Sequence, residues 1–499
     1  MAALTIMVQG TGSYVGKSVL AAALCRYFRQ QGYRVAPFKA QNMSNNSFVT
    51  PGSGEIGRAQ AFQAACCDIE PAVEMNPILL KPASDLGSQV VVLGRPVGHM
   101  RAREYHEYQA KLVGVIEDSF NKLAAMYDLV VIEGAGSPAE INLRKHDITN
   151  MFVAKMAKAP VLLVGDIHVG GVFASLVGTM ELLADDEADL VKAFIINKFR
   201  GDITLLNEGL RLLEERTQKK VIGVIPYVPD LGVDEEDGIQ QIQSRGAPKP
   251  ETLRVVVVRL PHISNSTDFE SLAREQDVSL HYVTLPAQIV GTPDVVILPG
   301  TKTTVADLKF LHASGLAAWL HQMRNAKVPM IGICGGFQMM GSQILDPYCV
   351  ESEEAKAEGL GFLPISTSFE REKRTVRVQG INPWSGQTIS GYEIHMGSTE
   401  TNGILQPLFQ ITQEQGAPVD RQDGCISSDG LIWGTYIHGL FDSAGFRRQF
   451  LNHLRLRRGW GPLALIQDVS RPTRLDALGA LIRNNLDCEM LNTIVHQRA

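Results

Sequence analysis

The sequence has few cysteines, and their spacing lacks the patterns of a structural framework. Seven cysteines occur among the 499 residues, an odd number, and no two are spaced as CxxC. This argues against a disulfide scaffold and against a zinc ribbon, and it is typical of a reducing compartment. We therefore expect a cytoplasmic protein.

The sequence also lacks long hydrophobic runs and an excess of either charge. No run of about 18 apolar residues occurs, which excludes a membrane-spanning helix, and the first residues predict no secretory signal peptide. Lys and Arg number 47 against 53 Asp and Glu, so nothing indicates a nucleic-acid or membrane partner. With 45% hydrophobic residues, the chain is typical of a soluble multidomain protein. A homo-oligomer is left open.

Short apolar segments alternate with stretches long enough for a helix. In the first half the predicted strands are 4–9, 34–39, 129–133, 161–166, 193–198 and 221–226. In the second half they are 254–260, 278–284, 295–299, 330–334 and 431–438. This alternation predicts an α/β protein with two doubly wound parallel sheets, whose ligands bind beyond the carboxyl ends of the strands.

Composition sets the expected domain boundaries. We predict a first domain over 1–238, a linker rich in Gly, Pro and polar residues over 239–251, and a second domain over 252–445. Residues 446–499 place Leu, Arg and Ala at helical spacing. They are predicted to form a helical C-terminal extension packed against the second domain.

A glycine-rich loop follows the first predicted strand and opens a predicted helix. Its sequence, GTGSYVGKS, runs from residue 10 to residue 18. Backbone N–H groups of such a loop bind phosphate, a role predicted here for Gly12 and Gly16, while Lys17 reaches the outer phosphates and Ser18 ligates Mg²⁺. The standard pattern has a glycine five residues before Gly16, where Thr11 stands, and here that glycine is displaced to Gly10. A dinucleotide-binding loop is the alternative, but Lys-Ser at the helix start favours ATP.

This loop resembles that of the dethiobiotin synthetase family, in which ATP phosphorylates a carboxyl-type group. In that family a glutamate of an EGAG-like motif helps to bind Mg²⁺, and Glu133 begins the sequence EGAG here. The resemblance implies that Glu133 is the second metal ligand beside Ser18. Glu55 is a weaker third candidate, with an exposed glutamate at a helix start as the alternative.

The second half contains an apolar segment that runs into the turn GICGGFQ, with Cys334 at its centre. Such a turn projects its side chain beyond the sheet as a nucleophile elbow, and a helix start lowers the pKa of a thiol placed there. We predict Cys334 as the nucleophile. The N–H of Gly335 is one predicted oxyanion donor, and the turn at Gly300 is predicted to supply a second.

The predicted general base is His438, in the late motif GTYIHG. Together with the cysteine turn, this motif resembles the class I glutamine amidotransferase family. Most of that family has glutamate two residues after the histidine, where Leu440 stands here. The cobyrinic and cobyric acid amidases form the subgroup that lacks this glutamate. The resemblance to them therefore implies a Cys334–His438 dyad. His395, in YEIHMG, is a rival base.

Six motifs extend the resemblance to the cobyric acid synthase family over nearly the full length. They are KAQNMSNN (39–46), NPILLKP (76–82), EGAGSPAEIN (133–142), DIHVGGVFA (166–174), NKFRGD (197–202) and CGGFQ (334–338). The family implies ATP- and glutamine-dependent amidation of the b, d, e and g carboxylates of adenosylcobyrinic acid a,c-diamide, through acyl phosphates, in cobalamin biosynthesis. Segments 41–46 and 137–142 are predicted substrate or nucleotide contacts, with simple turns as the alternative.

Two alternatives remain open. A cobyrinic acid a,c-diamide synthase shares both domains and differs in the carboxylates that it amidates. The phosphate loop also resembles that of partitioning-type ATPases, which switch dimerisation with their nucleotide. Such a switch would leave the GICGGFQ and GTYIHG motifs without a role.

Overall fold

The computed structural model describes residues 3–84, 87–228, 251–352, 354–465 and 471–497. The predicted end of the first domain at 238 lies outside these residues, as does the predicted linker apart from Glu251. No helix of the described residues is long and apolar enough to cross a bilayer.

Strands and helices alternate through the first half of the chain. The strands are β1 (Leu4–Gly10), β2 (Val35–Phe38), β3 (Gln41–Met43), β4 (Ser47–Val49), β5 (Glu55–Gly57), β6 (Ile78–Ser84), β7 (Gly87–Val92), β8 (Arg95–Arg101), β9 (Leu129–Glu133), β10 (Val161–Asp166), β11 (Val191–Phe199) and β12 (Lys220–Pro226). The helices are α1 (Lys17–Gln30), α2 (Arg58–Cys66), α3 (Ala102–Gln109), α4 (Val113–Met126), α5 (Met151–Met156), α6 (Val172–Leu182), α7 (Asp185–Ala188) and α8 (Asn207–Thr217).

A parallel six-stranded sheet with the order β12-β11-β10-β1-β9-β2 forms the centre of this half. Alternate residues of β1 enter different cores: Ile6 and Val8 pack with α1 on one face, and Met7 packs on the other. This two-sided burial explains why the strands are continuously apolar in sequence. The six predicted strands are all present. The short strands β3 to β8 form two smaller sheets beside the main one.

The second half contains a larger mixed sheet. Its strands are β13 (Leu253–Val258), β14 (Val278–Val283), β15 (Val295–Leu298), β16 (Met330–Ile333), β17 (Gln343–Leu345), β18 (Lys356–Glu358), β19 (Ile365–Ile381), β20 (Thr388–Thr401), β21 (Gln406–Glu414), β22 (Ala417–Ile426), β23 (Ile432–Thr435) and β24 (Ile437–His438). The helices are α9 (Glu270–Ala273), α10 (Thr304–Ala313), α11 (Leu316–Asn325), α12 (Gly335–Met339), α13 (Ala444–Arg457), α14 (Arg471–Asn485) and α15 (Cys488–His496).

Strands β14, β13, β15, β16 and β23 pair in parallel, which confirms the predicted α/β class with its two parallel sheets. Antiparallel strands β19 to β22 extend this sheet and were not predicted from the sequence. Their exposed positions are mostly Glu, Gln, Ser and Thr, so the apolar runs that reveal a buried parallel strand are absent.

The C-terminal helices divide between the two halves. Helix α13 places Leu451 in the core of the second half, as predicted. The prediction is wrong for α14, because Leu478 and Ile482 are buried in the same cluster as Leu20 and Leu24 of α1. The chain therefore returns to cover the helix that follows the phosphate loop.

Candidate active site

The phosphate loop is held in shape by a glycine that no other residue could replace without strain. Gly16 has a φ of 98°, in the left-handed region. A Cβ at Gly16 would lie 2.1 Å from Nδ2 of Asn197, which donates a 2.8 Å hydrogen bond to the carbonyl of Val15. The loop therefore packs tightly on β11 and directs its backbone into the start of α1.

Lys17 lies across this loop and joins it to the loop that follows β9. Its Nζ donates to the carbonyl of Gly12 at 2.8 Å and to that of Gly136 at 3.0 Å. Lys17 as a whole residue is buried. The motif GTGSYVGKS and the motif EGAG thus meet at one edge of the sheet, as the order of parallel strands requires.

Glu133 is the buried centre of this edge. Its Oε1 accepts hydrogen bonds from Oγ of Ser18 at 2.7 Å and from Nζ of Lys39 at 2.9 Å. Its Oε2 accepts from Nε2 of Gln63 at 2.6 Å. Burial alone would raise the pKa of Glu133, but the charge of Lys39 and these hydrogen bonds lower it. The carboxylate is therefore ionised at neutral pH.

The predicted Mg²⁺ ligands fit that ion in type and position. Ser18 and Glu133 bring a hydroxyl and a carboxylate oxygen together at the start of α1. Among the described residues, no three His, Cys, Asp or Glu side chains converge as a metal cluster. Mg²⁺ at nucleotide sites uses one or two carboxylates together with phosphate and water, so a larger cluster is not required.

Glu55 is not part of this group. Its two oxygens accept hydrogen bonds from Lys81 and from Lys373, each at 2.5 Å. All three side chains are buried. Burial alone would raise the pKa of Glu55, but the two ammonium charges lower it. Because Lys373 belongs to β19, Glu55 contributes to the contact between the two halves, and the structure does not bring it to Ser18 and Glu133.

In the second half, Cys334 forms a strained elbow between β16 and α12. Its φ of 51° and ψ of −110° lie outside the regions that L residues prefer. The elbow is packed without spare room, because a Cβ at Gly336 would lie 2.0 Å from the carbonyl oxygen of Leu298. Strain of this kind costs of order 1–3 kcal/mol and is typical of nucleophiles.

His438 lies beside Cys334, and it is oriented by an aspartate that was not predicted from the sequence. Nδ1 of His438 donates a 2.7 Å hydrogen bond to Oδ2 of Asp268, and the N–H of Gly439 donates to Oδ1 of the same carboxylate at 2.8 Å. Nε2 makes no hydrogen bond of normal geometry with the described residues, which leaves it available to the sulfur.

The electrostatic surroundings of His438 favour its protonated form. Burial alone would lower its pKa, but the charges of Asp268 and of a Cys334 thiolate outweigh burial and raise the pKa to about 10. The histidine can therefore take the thiol proton and hold it as an imidazolium. The structure thus replaces the expected dyad with a Cys334–His438–Asp268 arrangement.

The two predicted oxyanion donors lie on neighbouring loops beside this arrangement. A Cβ at Gly300 would lie 2.8 Å from Cε1 of His438, and one at Gly335 would lie 3.2 Å from the backbone nitrogen of Thr301. The turn at Gly300 is held by the N–H of Ser264, which donates to its carbonyl at 2.9 Å. The two glycines therefore approach Cys334 from two neighbouring loops.

The rival base, His395, occupies a different position. Its Nδ1 is hydrogen-bonded to the carbonyl of Gly397 at 3.0 Å, and its ring stacks on Tyr436 with centroids 3.8 Å apart. Its Nε2 lies 3.7 Å from a carboxylate oxygen of Glu393. These contacts favour a structural role, and the predicted choice of His438 agrees with the geometry around Cys334.

Three residues of the two centres were missed from sequence: Asp268, Lys39 and Gln63. Asp268 lies in the loop after β13, at the same sheet edge as the cysteine and histidine motifs. The sequence NSTD in that loop is a detectable signal, because polar loops at strand ends had already located the phosphate site. Gln63 lies on a helix, and sequence spacing alone does not bring it to Glu133.

Family comparisons agree with this division of the chain. Residues 6–241 match a family model described as the CobQ/CobB/MinD/ParA nucleotide binding domain. Residues 254–446 match one described as the CobB/CobQ-like glutamine amidotransferase domain.

Three curated relatives named cobyric acid synthase are similar over almost all of both chains. The relative from Dehalococcoides mccartyi (strain CBDB1) is 46% identical over 99% of each chain, and that from Streptococcus sanguinis is 46% identical with the same coverage. The relative from Moorella thermoacetica is 48% identical over 99% of this chain and 97% of its own.

Proposed function

The chain belongs to the cobyric acid synthase family, and we propose from this premise how its two centres divide the reaction. The enzyme is an ATP-dependent ligase that uses glutamine as its amide donor. The proposed acceptors are the b, d, e and g carboxylates of adenosylcobyrinic acid a,c-diamide. A carboxylate anion has no leaving group, so each must be activated before ammonia can attack.

Glutamine hydrolysis is assigned to Cys334 and His438. The thiolate attacks the side-chain carboxamide carbon, and the negative oxygen that forms faces the N–H groups proposed at Gly335 and Gly300. His438 then gives its proton to the departing nitrogen, and ammonia leaves a thioester behind. Water activated by the same histidine hydrolyses the thioester and yields glutamate. Asp268 keeps the proton of the imidazole on Nδ1, so that Nε2 faces the reaction.

Carboxylate activation is assigned to the phosphate loop. A carboxylate oxygen of the corrinoid attacks the γ-phosphorus of ATP, which gives an acyl phosphate and ADP, and ammonia then displaces phosphate to form the amide. Lys17 and the loop N–H groups hold the β- and γ-phosphates. Ser18 and Glu133 would hold Mg²⁺, which when bound neutralises charge on the phosphates.

The observation that carries this proposal is the presence of both centres in one chain, each with its reactive group buried and oriented. A partitioning-type ATPase would have no use for the Cys334–His438–Asp268 arrangement. A cobyrinic acid a,c-diamide synthase would share it, but the three relatives compared all carry the name cobyric acid synthase.

Mass spectrometry tests the proposed substrate. The enzyme is incubated with adenosylcobyrinic acid a,c-diamide, Mg-ATP and glutamine labelled with ¹⁵N in the side-chain amide. Stepwise gain of four labelled amides is expected, and a Cys334→Ala control should give none with glutamine but should amidate with free ammonia. Glutamine hydrolysis without any change in the mass of the corrinoid would refute the proposed acceptor.

A further inference from the structure

The motif KAQNMSNN (39–46) and the residue that follows it, Ser47, contact the loop that carries Asp268. The N–H of Ser47 donates to Oδ1 of Asn265 at 2.8 Å, and the N–H of Asn265 donates to the carbonyl of Asn45 at 3.3 Å. Oγ of Ser266 donates to Oδ1 of Asn46 at 3.3 Å. Residues 45–47 therefore clamp residues 265 and 266 through both backbone and side-chain bonds. All of these contacts cross between the two halves of the chain.

The clamped residue has a backbone conformation that determines where Asp268 lies. Asn265 has a φ of 52°, in the left-handed region, which asparagine tolerates better than most residues. It opens the 3₁₀ turn Ser266–Phe269, and its carbonyl accepts the N–H of Asp268 at 2.9 Å. The side chains of Asn265 and Asp268 are both buried. A shift of Asn265 would therefore move the carboxylate that orients His438.

The same motif begins at the phosphate site. Nζ of Lys39 is bonded to Glu133 at 2.9 Å. Three residues later, Nδ2 of Asn42 donates to Oε1 of Gln60 at 3.0 Å, and Gln60 in turn donates to Glu133 at 3.4 Å. Nine consecutive residues, 39–47, thus extend from Glu133 to the loop of Asp268.

Strand β4, which follows the motif, packs behind the glutaminase centre. Val49 is buried in one apolar cluster with Tyr392 and Ile394 of β20. The ring of Tyr392 stacks on His438 with centroids 5.5 Å apart, and the carbonyl of Ile394 accepts a hydrogen bond from Sγ of Cys334 at 3.5 Å. The first half therefore packs against Tyr392 and Ile394, the two residues that contact His438 and Cys334.

We propose that residues 45–47 of the ATP domain position the glutaminase triad by clamping Asn265, so that the triad is completed only when the two domains are docked. This inference rests on the proposed glutaminase role of Cys334. Asn265 acts as a positioning residue: it touches neither glutamine nor Cys334, and it acts through Asp268 on His438.

Asn265→Ala tests the clamp. Alanine loses the acceptor for Ser47 and tolerates the left-handed backbone poorly, so Asp268 should withdraw from His438. We expect kcat of glutamine hydrolysis to fall about 10- to 100-fold with little change in KM for glutamine. The charged groups that act on His438 are Asp268 and Cys334, and both raise its pKa. Weakening the contact with Asp268 should therefore lower the pKa of His438 and move the alkaline limb of the pH profile to lower pH. Amidation with free ammonia should be unchanged.

Two further variants separate positioning from damage to the fold. Asn265→Asp keeps an acceptor and tolerates the same backbone, and it should restore most of kcat and the alkaline limb. Gln415→Ala removes other hydrogen bonds between the two halves, to Ser53 at 2.8 Å and to the carbonyl of Thr50 at 3.5 Å, and leaves those of Asn265 intact. It should leave glutamine hydrolysis unchanged.

Wild-type kcat and pH profile in Asn265→Ala would overturn the proposal. Equal loss of the glutamine- and ammonia-dependent reactions, with an unmoved pH profile, would also overturn it, because that pattern reports general unfolding. A wild-type enzyme that hydrolyses no glutamine would refute the proposed function itself, and the inference with it.

Discussion

Asp268→Asn is the most informative single change, because it alters one atom of the triad without changing its shape. In the native enzyme Oδ1 of Asp268 accepts the N–H of Gly439 and Oδ2 accepts the N–H of His438 Nδ1. A backbone N–H can only donate, so the amide oxygen of asparagine must face Gly439. The NH₂ group then faces Nδ1, which must lose its proton, and the proton moves to Nε2. An imidazole protonated there cannot accept the proton of Cys334.

The expected fall in kcat follows from the loss of the negative charge of Asp268. The pKa of His438 is raised from 6.5 to about 10 although burial opposes it. At 1.36 kcal/mol for each tenfold change, the net effect is worth about 5 kcal/mol, so Asp268 and the thiolate together supply at least this much. Loss of half would reduce ion-pair formation by about 10²-fold. A tautomer reversal in a serine-protease triad costs about 10⁴. We therefore expect kcat for glutamine hydrolysis to fall by about 10²–10⁴.

The assay is glutamate release from glutamine over pH 6–11, run beside amidation with free ammonia. The alkaline limb of the profile, which for the native enzyme should lie near the His438 pKa of about 10, should move to lower pH. Asp442→Asn is a matched control, because Asp442 bonds to Arg58 and Ser271 near the same histidine and not to its ring. Activity within threefold of wild type, with an unmoved alkaline limb, would refute the role assigned to Asp268.

The thermal midpoint of the same variant gives an independent check. Because the folded-state pKa of His438 is raised, its protonated form stabilises the fold fully below about pH 6.5 and ceases to do so as pH rises through about 10. The loss of stability in Asp268→Asn should therefore be larger at pH 6 than at pH 10.

Three further predictions test other residues. Lys17→Met should lower ATP-dependent amidation by about 10²-fold or more while glutamine hydrolysis, measured separately, persists; equal loss of both would contradict the division of labour. His395→Asn should retain glutamine hydrolysis within about tenfold, because its ring is fixed by Gly397 and Tyr436, and complete loss would make it a candidate base again. Glu55→Gln leaves Lys81 and Lys373 buried without their counter-charge, so it should cost about 3–5 kcal/mol at pH 7. Because the Glu55 pKa is lowered, its contribution is present above about pH 4.5 and is lost on acidification, so thermal midpoints of mutant and wild type should converge in acid.

The two parallel sheets and their phosphate and cysteine loops could be predicted because their signals are local. Buried parallel strands are continuous apolar runs, as in β1, β10 and β16, and the glycines next to Lys17 and Cys334 are required by turns a few residues long. The antiparallel strands β19 to β22 could not be found in this way, since one face of each is polar and exposed. The side of the molecule on which α14 packs also left no local trace, because its apolar positions fit either domain.

Residue types and their spacing were enough to predict the reactive groups: a phosphate loop, a thiol on an elbow, and a histidine at the end of a late strand. The orientation of these groups depends on the fold. Asp268 lies 170 residues from His438, and Ser47, which bonds to Asn265 across the interface, lies 218 residues from it. The 2.7 Å hydrogen bond between His438 and Asp268 depends on how the strands of the sheet are ordered. The contact of Ser47 with Asn265 depends on how the two domains dock, and neither is encoded in the spacing of residues along the chain.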